Sequence, residues 1–558
     1  MWRRSAAFLI LLALSAAAFG STLTADGIEV SYVAKVPGAG SGNYMPVHVS
    51  LWNTGMARQL QVAIVSNYPC RSRITRSISV AQGQRVSFDL LAPAFESYGS
   101  FHGAVFENGR EIPGLTDPVA WAHRNDVPWP GVLIISDHDE DLRAIRDALR
   151  GRVVGVDPPV GQLLYYEMPE GWIAYTRVDL IGVSAKALEA MTSTQREDLR
   201  KWVATGGSLF IYRPSGTASG LVELLLGKGA ALGPDQVTVP HYFGRVHLVR
   251  ADALDWDKER WGNQIKRMEY LPGRFGSQGR DVRPANIPGV GRPPVRVYGF
   301  IIVLFAIAIG PVNYFMLKRK RKLHLLFFIT PMAALAVTAG MIVYGVFAEG
   351  LGIKVHIEGV TWLDQDRHEA VTTGRMSIYA GMRPSGGLWF PMDTAALPAA
   401  GDFGSGLLEL GDGQRFLEGW LPPRTIVEYS ITSVAPARAR LRIERDGDGY
   451  RVTNGLEASI NDIVVMDREG KFYRAANIAP GGSTKAVDRH SLRRDLSAFL
   501  GALRSPMMRR AELVNGSYLA VLDRSPFFQV GTPKIEERGS LHVLYGRLAE
   551  QADARAAR

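Results

Sequence analysis

Cysteine is nearly absent from this chain of 558 residues: Cys70 stands alone. That excludes an intrachain disulfide, a thiolate zinc site and a CxxC redox pair, so stability has to come from packed cores. Several catalytic signatures are missing too. His368-Glu369 has no second histidine four residues after the first, which removes the helical HExxH zinc motif. Ser184 follows an apolar run in IGVSAKAL, but GVSAK lacks the second glycine of a GxSxG elbow and no SxxK accompanies it. No internal repeat of fixed period is visible. The most informative absence is one of charge. Residues 297–317 (VYGFIIVLFAIAIGPVNYFML) and 325–347 (LLFFITPMAALAVTAGMIVYGVF) contain no charged side chain at all.

Each of those runs reaches the roughly 20 residues that a helix rising 1.5 Å per residue needs to cross a ~30 Å hydrocarbon core, so both are expected to span. They are joined only by KRKRKLH, and short loops of this kind stay cytoplasmic, which assigns Lys318, Arg319, Lys320, Arg321 and Lys322 to that side. Everything before 297 and after 347 is then extracytoplasmic. The N-terminus agrees: Arg3 and Arg4 precede an apolar stretch at 6–14 that passes into SAAAFG, the pattern of a secretory signal over residues 1–20. The net charge of +10 includes these five loop cations. They suit anionic lipid headgroups, and a secreted chain has no nucleic acid to meet.

Residues 28–110 alternate with period 2, as at Val47, Val49 and Leu51, at Val62 and Ile64, and at Val86, Phe88 and Leu90; the expectation is a β-sandwich over 21–116. Residues 117–130 (DPVAWAHRNDVPWP) read as a Pro-rich linker. From 131 to 255 continuous apolar strands (VLIIS, RVDLIGVS, SLFIYR) alternate with amphipathic helices, which predicts an α/β domain with a parallel sheet. The helix in TSTQREDLRKWVATGG has Thr192 or Ser193 as its cap and Gly206 and Gly207 at its end. A juxtamembrane linker at 256–296 leads into the hairpin at 297–347. Beyond it, 348–487 reads as a β-rich domain. In 488–550 a helix carries Leu492, Leu496, Phe499, Leu500 and Leu503 on one stripe and returning strands follow it. Residues 551–558 form a loose tail. The fold class is a multidomain membrane protein: β-sandwich, α/β domain, two-helix transmembrane hairpin and a mostly β C-terminal region.

The strongest constellation of chemical groups is Asp137-His138-Asp139-Glu140-Asp141, just past the carboxyl end of the first α/β strand, where ligands of open α/β sheets bind. Asp137, His138 and Asp139 could hold Mg²⁺ or Zn²⁺. The DxD resembles that of haloacid-dehalogenase-type phosphatases, but Glu140 stands where that family has Thr or Val, and no later acidic pair ends a strand. The simpler role is that of acidic residues opening a helix, which cap its free N–H groups and oppose its dipole. His241 and His247 flank a strand and could join such a site as additional ligands. Neither span has an ionisable residue, which argues against a transporter. No cofactor is expected.

At IGPVNYFMLKRKRK followed by FFITPMAALAVTAG the chain resembles a group of poorly characterised bacterial membrane proteins. Their plan is a signal peptide, a β-sandwich, a domain similar to class I glutamine amidotransferases, a two-helix hairpin and a further β region. The stretch TSTQREDLRKWVATGGSLFIY, together with Asn454-Gly455-Leu456 and Ala479-Pro480-Gly481-Gly482, carries the same resemblance. It implies a catalytically empty α/β module, since an active amidotransferase needs a cysteine on a strand-to-helix elbow and Cys70 lies in the preceding β domain. The expected function is a non-enzymatic, membrane-anchored scaffold or binding protein of the bacterial envelope. It would be a two-pass protein of the plasma membrane, with both large regions periplasmic and its partners the bilayer and envelope proteins. The alternative is a metal-dependent hydrolase of an envelope phosphate or glycan, working through Asp137, His138 and Asp139.

Overall fold

The computed structural model describes residues 22–36, 43–66, 72–94, 101–119, 131–138, 160–212, 218–227, 237–249, 286–290, 295–398, 406–488, 513–532 and 535–548. The signal at 1–20, Cys70, Asp139 to Asp141, the stripe at 492–503 and the tail lie outside them.

The period-2 segments form antiparallel strands. One sheet has the order Leu23–Ala25, Ile28–Ala34, Asn43–Asn53, Arg85–Ala94; a second contains Arg73–Val80, Arg58–Ser66 and Phe101–Glu107. Val47, Val49, Leu51, Val62 and Ile64 are buried between them, as alternation requires. The strand region extends further than the composition suggested. Asp117–Val119, read as linker, pairs antiparallel with Phe101–Gly103, and Pro118 is tolerated there because an edge strand has a free side that needs no N–H.

The second sheet does not end with N-terminal residues. Leu407–Leu410, from beyond the hairpin, adds parallel to Arg73–Val80 with Leu408 opposite Ile74, and Gln414–Phe416 and Leu388–Phe390 follow it. The core is shared accordingly: Ile28, Val47 and Ile64 pack in one cluster with Ile353, Ile378, Phe390, Phe416 and Tyr429. Residues 348–487 are therefore no free-standing unit. Nor are the returning strands separate from it, since Leu541–Arg547 lies parallel beside Ile353–Asp364 and Ser517–Leu522 pairs with Leu541–Arg547 in the middle of a twelve-stranded sheet.

That large sheet is the central wall of the protein. Ile353, Val355, Ile357, Met376 and Ile378 face the N-terminal sandwich. Val360, Val371, Val434, Val543 and Tyr545, on the opposite side by strand alternation, belong to the core of the α/β unit. The α/β sheet has the order Val160–Leu164, Val132–Ser136, Leu180–Ser184, Ser208–Tyr212, Gly244–Val249, Thr238–His241; all neighbours are parallel except the last pair. Its helix Ser193–Ala204 starts on a reciprocal capping box between Thr192 and Gln195. Gly244 is required by close approach, because a Cβ there would lie 1.9 Å from the Val203 carbonyl oxygen.

One local device occurs twice. The Asn53 amide donates to the Met56, Val80 and Ala81 carbonyls while its backbone pairs with Gly83 and Gln84. Asn454 does the same with Ala458 and Ile478, and its backbone pairs with Gly481 and Gly482. The Asn454-Gly455-Leu456 and Ala479-Gly482 motifs thus meet in space as a strand-end closure.

Among the described residues two helices are long and apolar enough to cross a membrane, Val297–Arg319 and Leu323–Tyr344. The rest of the protein covers 11% of the apolar stretch of the first and none of that of the second, unlike a core helix. The first changes to π geometry over Ala308–Val312 because Pro311 lacks the N–H that would continue the ladder. A Cβ at Gly310 or Gly340 would meet nothing within 4 Å, so neither glycine is a point of close approach between the two helices. Both ends of the hairpin are tied to one end of the large sheet. Gly381 and Met382 donate to Gly352 and Leu351 just past the second helix, and Ile287 and Val290 pack on Tyr379 before the first.

Candidate functional site

The carboxyl ends of the central parallel strands bring two of the singled-out residues together. Val132–Ser136 and Leu180–Ser184 are neighbours, so Asp137 and Ser184 emerge side by side although 47 residues separate them. Ser184 Oγ donates to Asp137 Oδ1 at 3.0 Å and accepts from the Ala187 N–H at 3.1 Å, which makes it the N-cap of the short helix Ala185–Ala190. His138 folds back on its neighbour: its Nδ1 is 2.7 Å from the Asp137 carbonyl oxygen and its Nε2 3.5 Å from Asp137 Oδ2. Tyr165 and Tyr166 follow the third adjacent strand, Val160–Leu164, and Tyr166 is exposed. This is the switch point of the sheet: the chain leaves Val132–Ser136 toward Val160–Leu164 on one side and Leu180–Ser184 toward Ser208–Tyr212 on the other.

The chemistry available there is limited by burial. Ser184 is only 2% exposed, its proton is committed to a carboxylate and its lone pair to a helix N–H, so it is not presented as a nucleophile. Among the described residues no group of three or more His, Cys, Asp or Glu side chains could hold a metal ion. Asp139 lies outside them, leaving Asp137 and His138 as the observable part of the proposed ligand set. The two other candidate histidines do not join it. His241 ends the antiparallel edge strand, at the amino end of the parallel sheet, and His247 lies mid-strand with its Nδ1 3.0 Å from Thr238 Oγ1.

A second polar cluster was not anticipated. Arg200, on the helix Ser193–Ala204, reaches Glu197 Oε1 and Glu369 Oε1 at 2.7 Å each, the latter on the large sheet. The two carboxylates hold its pKa above the ordinary guanidinium value even though burial opposes this. Burial, then Arg200, depresses His241 well below the usual imidazole range, so that ring is neutral. Tyr242 donates to Asp364 at 2.7 Å, and Arg367 donates to the Leu226 carbonyl. These contacts lock the α/β unit to the end of the sheet farthest from the hairpin. The available signal was position: Arg200 falls three residues before Val203, on the buried side of its helix.

An open trough of about 450 Å³ on the outer face of the sandwich is lined by Gln59, Gln61, Ser77, Ser79, Phe106 and Asn108. It lies outside the α/β unit and none of the singled-out residues lines it.

No protein-family model and no curated protein matches this chain. Among solved structures, a Paenibacillus cycloisomaltooligosaccharide glucanotransferase complexed with cycloisomaltoheptaose is similar over 33% of this chain at 10% identity and a TM-score of 0.18. The match spans 27% of that enzyme's chain. The yeast delta-COP-I mu-homology domain complexed with a Dsl1 WxWxV peptide is similar over 36% of this chain and 97% of its own, at 10% identity and a TM-score of 0.16. Likenesses this slight carry no argument about function.

Proposed function

We propose that the protein is a non-enzymatic scaffold or binding protein of the bacterial envelope, anchored by the hairpin with both large regions outside the cytoplasm. The observation that carries this reading is the seam between Arg73–Val80 and Leu407–Leu410. Strands from before and after the hairpin hydrogen-bond in one sheet, so both must be on the same side of any bilayer the hairpin enters. Two crossings satisfy that and one does not. The Lys318 to Lys322 cluster then selects the side, because a short basic loop stays cytoplasmic. The α/β unit is the amidotransferase-like module of the resemblance: a parallel sheet whose switch point holds a buried, fully bonded serine instead of a reactive thiol. Its wide seating on the central sheet suits a structural part.

The test is metal content and crosslinking of the full-length protein. Purified without chelators, the wild-type chain should carry no stoichiometric divalent ion, and Asp137→Ala should retain the same crosslinked partners in intact membranes. A stoichiometric ion that disappears in Asp137→Ala, together with loss of a phosphatase or glycosidase activity, would replace this reading with the hydrolase.

A further inference from the structure

The surface around the exit of the second apolar helix has a composition the anchor alone does not require. That helix, Leu326–Glu349, stops at Gly350, whose φ of +77° turns the chain directly into the strand Ile353–Asp364. Beside it Gly381 and Met382 extend the ladder, donating to Gly352 at 3.1 Å and Leu351 at 3.3 Å. The approach is close: a Cβ on Gly381 would lie 2.2 Å from the Gly350 carbonyl oxygen. Arg424 donates its N–H to Ala380 at 2.7 Å and so joins the same rim. On this rigid frame Leu351 is 45% and Met382 59% exposed, and Arg383 and Arg424 are exposed next to them.

Depth decides what these side chains meet. From Phe347, the last residue of the apolar run, the helix continues for two residues, about 3 Å at helical rise, and Gly350 turns the chain before Leu351, which sets Leu351 just beyond the apolar run. The headgroup layer of each leaflet is about 5–7 Å thick, the difference between a bilayer with and without its polar regions. Apolar tips flanked by guanidinium groups at that level match the boundary between acyl chains and lipid phosphates.

We propose that Leu351, Met382, Arg383 and Arg424 form a lipid-contact platform. In it Leu351 and Met382 enter the headgroup boundary of the leaflet where the hairpin emerges, and Arg383 and Arg424 bind lipid phosphate. The large sheet then stands on the membrane through its loops as well as through the hairpin. The proposal rests on the reading that the hairpin spans a bilayer, and the experiment separates the two.

Full-length protein with Cys70→Ser and one new cysteine at Met382, Leu351, Leu335 or Tyr166 is labelled with an environment-sensitive fluorophore. It is then placed in phosphatidylcholine nanodiscs containing lipids spin-labelled at a shallow or a deep acyl position. Leu335, 72% exposed in the second helix, should be quenched by the deep label, and Tyr166, on the α/β unit and 64% exposed, by neither. Met382 and Leu351 should show several-fold more shallow quenching than Tyr166 and a blue-shifted emission, both lost on Arg383→Glu with Arg424→Glu. If Leu335 is quenched while Met382 and Leu351 behave like Tyr166, the platform is wrong and the anchor stands. If Leu335 is not quenched, the spanning hairpin and the platform fall together.

Discussion

Tyr44 is the residue whose hydroxyl ties the two halves most directly, and its removal has a calculable cost. The strand Thr394–Pro398 forms one edge of the large sheet, so the Ala396 N–H and C=O have no further strand to pair with. The Tyr44 hydroxyl covers them instead, accepting from the Ala396 N–H at 3.2 Å and lying 2.8 Å from its carbonyl oxygen and 2.5 Å from Gln414 Oε1. All of this is buried, which also raises the phenol's pKa above its ordinary value. Tyr44→Phe keeps the ring and removes the oxygen, leaving at least one donor and one acceptor dry. At about 1–3 kcal/mol for each stranded group the loss should be about 3 kcal/mol. The matching control is Tyr32→Phe, because the Tyr32 hydroxyl is also buried and has no partner among the described residues. That change should be neutral or slightly stabilising. Urea unfolding of the full-length protein in detergent, followed by tryptophan fluorescence, reads both. Equal midpoints for the two variants would refute the view that the Tyr44 hydroxyl serves the seam between halves.

Asn454→Ala removes an amide that bonds Ala458, Ile478 and Leu456, and should cost about 3 kcal/mol in the same unfolding assay; a change within error would show that the closure is not structural. Burial raises the Asp198 carboxyl to about 6, so the folded chain binds more protons than the unfolded one between roughly pH 4 and 6. Stability should therefore fall by about 2–3 kcal/mol as pH rises through that window, and Asp198→Asn should flatten the profile. A variant with the wild-type slope would sink that assignment. For topology, single cysteines at Lys320, Met56 and Asp448 with Cys70→Ser should be labelled by an impermeant reagent outside the cell only at Met56 and Asp448. The reverse pattern would invert the orientation.

What could be read in the sequence was what local pattern encodes. The hairpin follows from uncharged runs, the helix Ser193–Ala204 from its cap and closing glycines, and the parallel α/β sheet from continuous apolar strands alternating with helices. Partnership between strands was not legible. Alternation at Leu408 and Leu410 says which side is buried but not against what, and their partners Ile74 and Arg76 lie in the other half of the chain. The same limit applied at the switch point: Asp137 and Ser184 each stood after an apolar strand, but only the spatial order of strands makes them neighbours. Conversely, the Pro-rich look of 117–119 hid a short edge strand, because proline in that place costs nothing.

The seam also sets an order of events in synthesis. Thr75 Oγ1 reaches the Leu408 carbonyl oxygen across 333 residues of chain, and the hairpin lies between them. At ribosomal rates of about 5–20 residues per second, the segment around Thr75 is synthesised some 20–70 s before its neighbour exists. For that interval Arg73–Val80 has an open β edge, with backbone donors and acceptors available to any other extended chain. Closure waits on synthesis of both helices and of the second half. A delay between the two halves would thus leave an incomplete sandwich at risk of aggregation or proteolysis before the second half can reach it.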